Sequence, residues 1–236
     1  MAVRTTEVAY HDLVADLKHP GCPVCRGADR SAWRLIDSIL RESVNDAPIR
    51  LRMRASHGLC RDHLYLAASV ASAHSAGVGM AILLRDFLQH IEEEATELAE
   101  HPPKDRRERR RPALAPHGSC MACETSIRTA HNYLRLLAAT EPDDDLGIAL
   151  RAPGRGLCVP HLMRGFRWFP RQDERRRLLD HFTHGNEELR GELASYILKH
   201  DYQHHDEVMT DPERSSWPRA VARLVGAPMP TRPPQR

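Results

Sequence analysis

Eight side chains in this sequence have the types and spacing of metal ligands. Cys22 and Cys25 form a C-x-x-C, and 35 residues after Cys25 comes a C-x-x-H made of Cys60 and His63. Cys120, Cys123, Cys158 and His161 repeat the pattern at a constant offset of 98, and the six cysteines are all used. A borderline-soft cation such as Zn2+ takes about four thiolate or imidazole donors in a tetrahedron. Two residues three apart on the first turn of a helix lie on one face and can supply one edge of it. Neither half-motif closes a site alone, so the 34 residues between them must fold back, and helix, turn, second helix does this economically. One spacing written twice is simplest if each copy closes its own site. That gives one group of Cys22, Cys25, Cys60 and His63 and another of Cys120, Cys123, Cys158 and His161; exchange of ligands between the copies is the alternative.

Other cysteine chemistries fit less well. A redox-active C-x-x-C calls for a thioredoxin-like strand context, and no strand alternation flanks Cys22. It would also leave Cys60 and His63 without a role. Three structural disulfides belong to small secreted domains. Three thiolates and one imidazole suit structural zinc, two ions per chain, in a closed shell with no open position for substrate. The same ligands can instead hold two iron–sulfur clusters.

The elements that must position these ligands are helices. The chain has 236 residues, only 5% of them aromatic, and is dominated by alanine, leucine, arginine and glutamate, a composition that favours helix over strand. A formal net charge of +2 sets no global bias toward nucleic acid or an anionic surface. No apolar run approaches the roughly 20 residues that cross a bilayer. The N-terminus lacks the apolar core of a signal peptide, so a cytoplasmic location, with reduced thiols, is expected.

Periodicity predicts a helix over residues 5–18, ended by His19-Pro20-Gly21. A second starts just after Cys25, burying Trp33, Ile36, Ile39 and Leu40, and ends at Asn45-Asp46-Ala47-Pro48. A short helix carries Ile49, Leu51 and Met53 to Gly58, a helix terminator and hinge for Cys60. After His63 come a helix through Val70 and a long amphipathic one with Met80, Leu84, Phe87, Ile91 and Leu98 in its stripe. Residues 101–118 are a basic, proline-rich linker carrying Lys104, Arg106, Arg107, Arg109, Arg110 and Arg111. It reads as a solvated spacer or as an arm for nucleic-acid phosphates, the latter weakened by the lack of interleaved aromatics. Residues 119–200 then replay residues 1–100. An extension over 201–227 contains a short helix ending at Gly226, and 228–236 is a disordered tail. His181, His184, His200, His204 and His205 crowd one region, without the H-E-x-x-H that marks zinc hydrolases.

Cys22-Pro23-Val24-Cys25, Glu42-Ser43-Val44-Asn45-Asp46, Gly58-Leu59-Cys60 with His63, Ala81-Ile82-Leu83-Leu84-Arg85-Asp86, Lys199-His200-Asp201-Tyr202 and Ser216-Trp217 with Gly226 together resemble an uncharacterised bacterial family, a domain of unknown function. The likeness spans nearly the whole chain and implies no activity. Two departures are Cys120-Met121-Ala122-Cys123, without the proline expected in the second knuckle, and Gln203-His204 in place of an Arg-Phe pair. The expected protein is therefore all-α: two pseudo-symmetric helical repeats, each built around a Cys3His metal site. With no nucleophile, base or phosphate loop to assign, it reads as a non-enzymatic interaction or regulatory module whose partner is another protein. An iron–sulfur redox or sensor protein is the alternative, and nucleic-acid binding through the linker a second.

Overall fold

A computed structural model describes residues 2–101, 116, 118–141, 143–204, 206–228 and 230. The described residues form eleven helices and no strand, with a lone parallel bridge between Gly21 and Arg155. In chain order the helices are α1 (Ala2–Asp16), α2 (Pro23–Glu42), α3 (Ala47–Ala55), α4 (Arg61–Ala73), α5 (Gly77–Glu100), α6 (Met121–Ala139), α7 (Asp145–Leu150), α8 (Val159–Trp168), α9 (Gln172–Leu198), α10 (Asp211–Arg214) and α11 (Ser216–Val225). No helix among the described residues is long and apolar enough to cross a membrane. The linker 101–118, apart from His101, Pro116 and Gly118, lies outside the described residues. So does the tail 228–236, apart from Pro228 and Pro230.

The chain divides into two compact units, and they are not the consecutive repeats 1–100 and 119–200. One, the terminal unit, combines Met1–Ala28 with Arg128–Pro228; the other, the central unit, is centred on Asp29–Ile127. The divisions fall inside α2 and α6, so each C-x-x-C helix begins in one unit and ends in the other.

The central unit buries Trp33, Ile36, Ile39 and Leu40 of α2 with Met53, Leu66, Val70, Leu83 and Phe87. The stripe expected on α5 is rotated: Gly79, Leu83, Asp86 and Phe87 are the buried positions, while Leu84 is only half-buried. Two arginines of α3 draw the Asp86 carboxylate into this face. Arg54 donates through Nε at 3.0 Å and Arg50 through Nε at 3.4 Å, and both also pair through their terminal nitrogens. Gly79 is packed so tightly on α2 that a Cβ there would sit 2.2 Å from the Leu40 carbonyl oxygen. Glycine inside α5 is therefore the condition for the α2–α5 approach. Gly58 has φ +90° and donates its N–H to the Met53 carbonyl at 2.7 Å, ending α3 as its position predicts.

Asp86 gives a pH signature. Hydrogen bonding to Arg54 holds its carboxyl well below the usual carboxylate range, with Arg50 adding to the effect against the opposing influence of burial. Because the folded value is depressed, its contribution is fully present above the unfolded value of about 4 and is lost as pH falls through the folded value. Both arginines reach solvent, so Asp86→Asn is expected to cost about 2–3 kcal/mol near neutrality. The difference should shrink progressively in urea denaturation below about pH 4. A penalty unchanged down to pH 2 would show that charge is not its source.

The terminal unit buries Leu13 of α1 and Leu17 just after it with Val24, Tyr133, Leu134, Leu137, Leu150, Leu157 and Leu178. Tyr133 donates its hydroxyl to buried Asp16 at 2.8 Å. At its C-terminal end, Lys199 bonds both carboxylate oxygens of Glu213 at 2.9 Å and the Val208 carbonyl at 3.0 Å. Glu213 also completes a capping box with Thr210 that starts α10. Lys199 of the Lys-His-Asp-Tyr motif thus fastens the end of α9 to the segment leading into α11.

Candidate metal centres

Each half-motif occupies the start of a helix. Cys60 and Cys158 are the N-caps of α4 and α8, with extended backbone, and His63 and His161 lie in the following turns. Cys22 and Cys120 stand immediately before α2 and α6, with Cys25 and Cys123 in the first turns. The carbonyls of Cys22, Cys60, Cys120 and Cys158 each accept from the N–H four residues on, at 2.8–3.3 Å. Four helix N-termini therefore carry the ligands, two per site. Their positive dipole ends stabilise thiolate charge.

The pairing differs from self-closure of each repeat. Cys22 and Cys25 meet Cys158 and His161, whereas Cys60 and His63 meet Cys120 and Cys123. Helix lengths are consistent with this pairing. From Cys25, α2 carries the chain about 25 Å before it ends, and α3 returns about 13 Å of that. The helices by themselves therefore do not bring Cys60 back to Cys25. From Cys123, α6 runs about 24 Å, and α7 returns only about 9 Å. Each C-x-x-H instead meets the C-x-x-C of the other copy.

In the terminal unit, His161 Nδ1 lies 3.1 Å from Cys158 Sγ, 3.4 Å from Cys25 Sγ and 3.7 Å from Cys22 Sγ, and the Cys25 and Cys158 sulfurs are 3.6 Å apart. In the central unit, His63 Nδ1 lies 3.2, 3.3 and 3.7 Å from Cys60, Cys123 and Cys120, with Cys60 and Cys123 at 3.6 Å. All four donor atoms of each group fall within 4.8 Å of one another. Bond lengths near 2.3 Å to sulfur and 2.0–2.1 Å to nitrogen make the edges of a tetrahedron about 3.5–3.8 Å. The donor sets fit one metal ion each. Backbone bonds set the two arms of each site side by side: Gly21 N–H donates to Gly154 O at 2.9 Å, and Gly118 N–H to Ala55 O at 2.7 Å.

Without a cation, three crowded thiols cannot all ionise. Burial raises the Cys22 thiol, but bonds from Cys158, Cys25 and His161 outweigh it and hold Cys22 well below its ordinary range. Cys25 is driven far up by its bonds to Cys158 and Cys22. In the central unit, burial is likewise outweighed at Cys120, held at about 6 chiefly by His63. Burial and the bond to Cys60 push Cys123 up to about 12. A divalent ion is what would let all three ionise together.

Arg26, next to Cys25 in the chain, donates to the Pro20 carbonyl at 3.3 Å. The cation at the terminal site is Arg223 of α11, nine-tenths buried. Its guanidinium donates to the carbonyls of Leu157 at 2.9 Å, Arg155 at 3.0 Å and Gly185 at 3.4 Å. Burial lowers its pKa, while the charges of Cys22, Cys158 and Cys25 raise it. Gly156 has φ +139°, and a Cβ there would stand 2.2 Å from an Arg223 nitrogen, so glycine is needed on both counts. Gly226, which ends α11 at φ +93°, places its Cβ position 3.8 Å from Cys25 Sγ. A cavity of about 160 Å³ opens beside Cys22 and Cys158, bordered by Glu188, Arg219 and Arg223. Glu188 accepts the Gly154 N–H, and Arg219 pairs with Glu192.

The histidine-rich region has local roles. His181 is buried and bonds the Leu137 carbonyl at 3.3 Å, His184 bonds the Arg151 carbonyl at 3.1 Å, His200 the Tyr196 carbonyl at 2.7 Å and His204 the Glu207 carboxylate at 2.8 Å. His205 lies outside the described residues, and the described ones bring together just the two Cys3His groups. His57, which precedes Gly58, has its Nε2 2.8 Å from the Glu94 carboxylate. Lys104, Arg106, Arg107, Arg109, Arg110 and Arg111 lie outside the described residues.

Fold and site together define an all-α protein with two Cys3His groups able to hold metal ions. The chain belongs to the family of unknown function DUF6062, whose profile matches residues 7–230. Comparison with curated proteins and with solved structures gives no match.

Proposed function

We propose that this protein is a non-catalytic helical module stapled by two zinc ions, one per Cys3His group, that serves as an interaction or regulatory element for another protein. The observation that carries the metal reading is the compactness of each group, with all four donor atoms within 4.8 Å. An iron–sulfur cluster interposes several irons and sulfides between its thiolates; a single ion needs its donors this close. Four protein donors fill zinc's tetrahedral shell, which supports a structural rather than a catalytic role.

Elemental analysis with an absorption spectrum, on protein purified without oxygen, tests this. Two zinc per chain and no visible absorbance are expected. Iron with sulfide and a visible band would replace the reading with an electron-transfer or sensing one. Chelation is expected to abolish cooperative thermal unfolding, because binding energy on the order of 10 kcal/mol per structural zinc is folding energy. A sharp transition that survives complete metal removal would count against stapling.

A further inference from the structure

The helix α11 is mounted with its polar face inward. Ser216 is fully buried and Arg223 nearly so, while Trp217 is 55% exposed, Val221 52%, Leu224 62% and Val225 70%. Positions 217, 221, 224 and 225 recur at i, i+4, i+7 and i+8, the spacing of one apolar helix face, and exposed Pro218 borders them. Arg219 is tied to Glu192 and Arg223 to the Gly185 carbonyl, which lays α11 antiparallel along α9 and fixes the stripe outward. At these exposures the stripe leaves roughly 450 Å² of apolar surface uncovered, the size of the largest patch on a typical monomer, which is often functional.

We propose that this stripe is the contact between two copies of the chain, packed as antiparallel α11 helices about a two-fold axis near Val221. Three observations favour a second copy as the occupant. First, the stripe is self-complementary: with Val221 on the axis, Trp217 of each copy, four positions before it, falls on Val225 of the other, four positions after it, with Leu224 alongside. Such a patch closes as an isologous pair. Second, two stripes and their rims together bury about 1,000 Å², the lower end for specific association, which predicts a weak, concentration-dependent dimer. Third, a formal net charge of +2 puts little repulsion between copies. A helix lying on a membrane would carry its cations on the face beside the apolar stripe, at the lipid surface. Here Arg219 and Arg223 are engaged on the inner side. The inference goes beyond the reading of the metal centres and does not depend on which metal fills them.

Light scattering coupled to size-exclusion chromatography, on the full chain over about a hundredfold concentration range reaching high micromolar, is the test. The mass is expected to rise from 26.8 kDa toward twice that value. Trp217→Glu and Val221→Glu are expected to hold the monomer mass throughout while keeping wild-type helicity and metal content. Leu88→Glu, at an exposed apolar position of α5, is the control and should associate like wild type. A wild-type chain that stays monomeric across the range overturns the proposal, as does a dimer that persists in both glutamate variants or is lost equally in the control.

Discussion

The double variant Cys25→Ser/Cys158→Ser is expected to keep one metal ion per chain, and Cys25→Ser/Cys60→Ser to keep none. The first pair removes two donors from one group, since the Cys25 and Cys158 sulfurs are 3.6 Å apart and share His161. The second removes one donor from each group. Repeats that each closed their own site would give the opposite result, because Cys25 and Cys60 would then be partners. Stability should follow the metal. An apparent binding energy on the order of 10 kcal/mol per site is comparable to the whole stability of a typical domain. The first double variant should therefore be little worse than either of its single variants, as expected for positions acting as a unit. In the second, both units should lose their cooperative transitions. Metal content by elemental analysis, beside thermal unfolding of the three single and two double variants, separates the two patterns.

Arg223→Ala is expected to destabilise the terminal unit by about 3–5 kcal/mol, from one buried and two partly buried carbonyls that lose a charged donor at about 1–3 kcal/mol each, partly recovered by water. Its more specific consequence concerns the metal. Two of those carbonyls, of Arg155 and Leu157, belong to the loop that delivers Cys158 to the site. Without the guanidinium the loop loses its anchor, and the group loses a buried cation that interacts with its thiolates. Of the two ions, the one held by Cys22, Cys25, Cys158 and His161 should then transfer first to a chromophoric chelator, at least tenfold faster than in wild type. Arg223→Lys should rescue little, since one ammonium cannot reproduce a planar guanidinium that reaches three acceptors. Unchanged release rates in both variants would reduce Arg223 to a packing residue.

Ligand identity and helical class were legible in the sequence because both are written in residue types: cysteine and histidine at metal spacing, apolar positions at helical spacing. The pairing of the half-motifs was not, because self-closed and crossed sets have the same residue types and spacing, and only the folded positions of the helices decide between them. Arg223 was beyond reach for a different reason. Its partners are backbone carbonyls 66 and 68 positions away, and a carbonyl carries no residue-type signal. The helix α10 was missed although Thr210 and Glu213 spell a capping box. For α11 the pattern gave an amphipathic helix but could not say which face turns inward; burial of Ser216 and Arg223 decides that.

The crossed ligand sets also order events during synthesis. The central unit has its complete donor set once Cys123 has been made, and its segments from Asp29 to Ile127 are contiguous. The terminal unit must wait for His161, 136 positions after Cys25. At about 5–20 residues per second, the ribosome leaves Cys22 and Cys25 as an unsatisfied dithiol for on the order of 10 seconds. During that interval the nascent chain already holds Cys60 and His63, a mismatched pair of donors that the finished protein never gives them. With metal in both groups, the first donor set to be completed is Cys60, His63, Cys120 and Cys123, and an ion held earlier by a mixed set would have to be released.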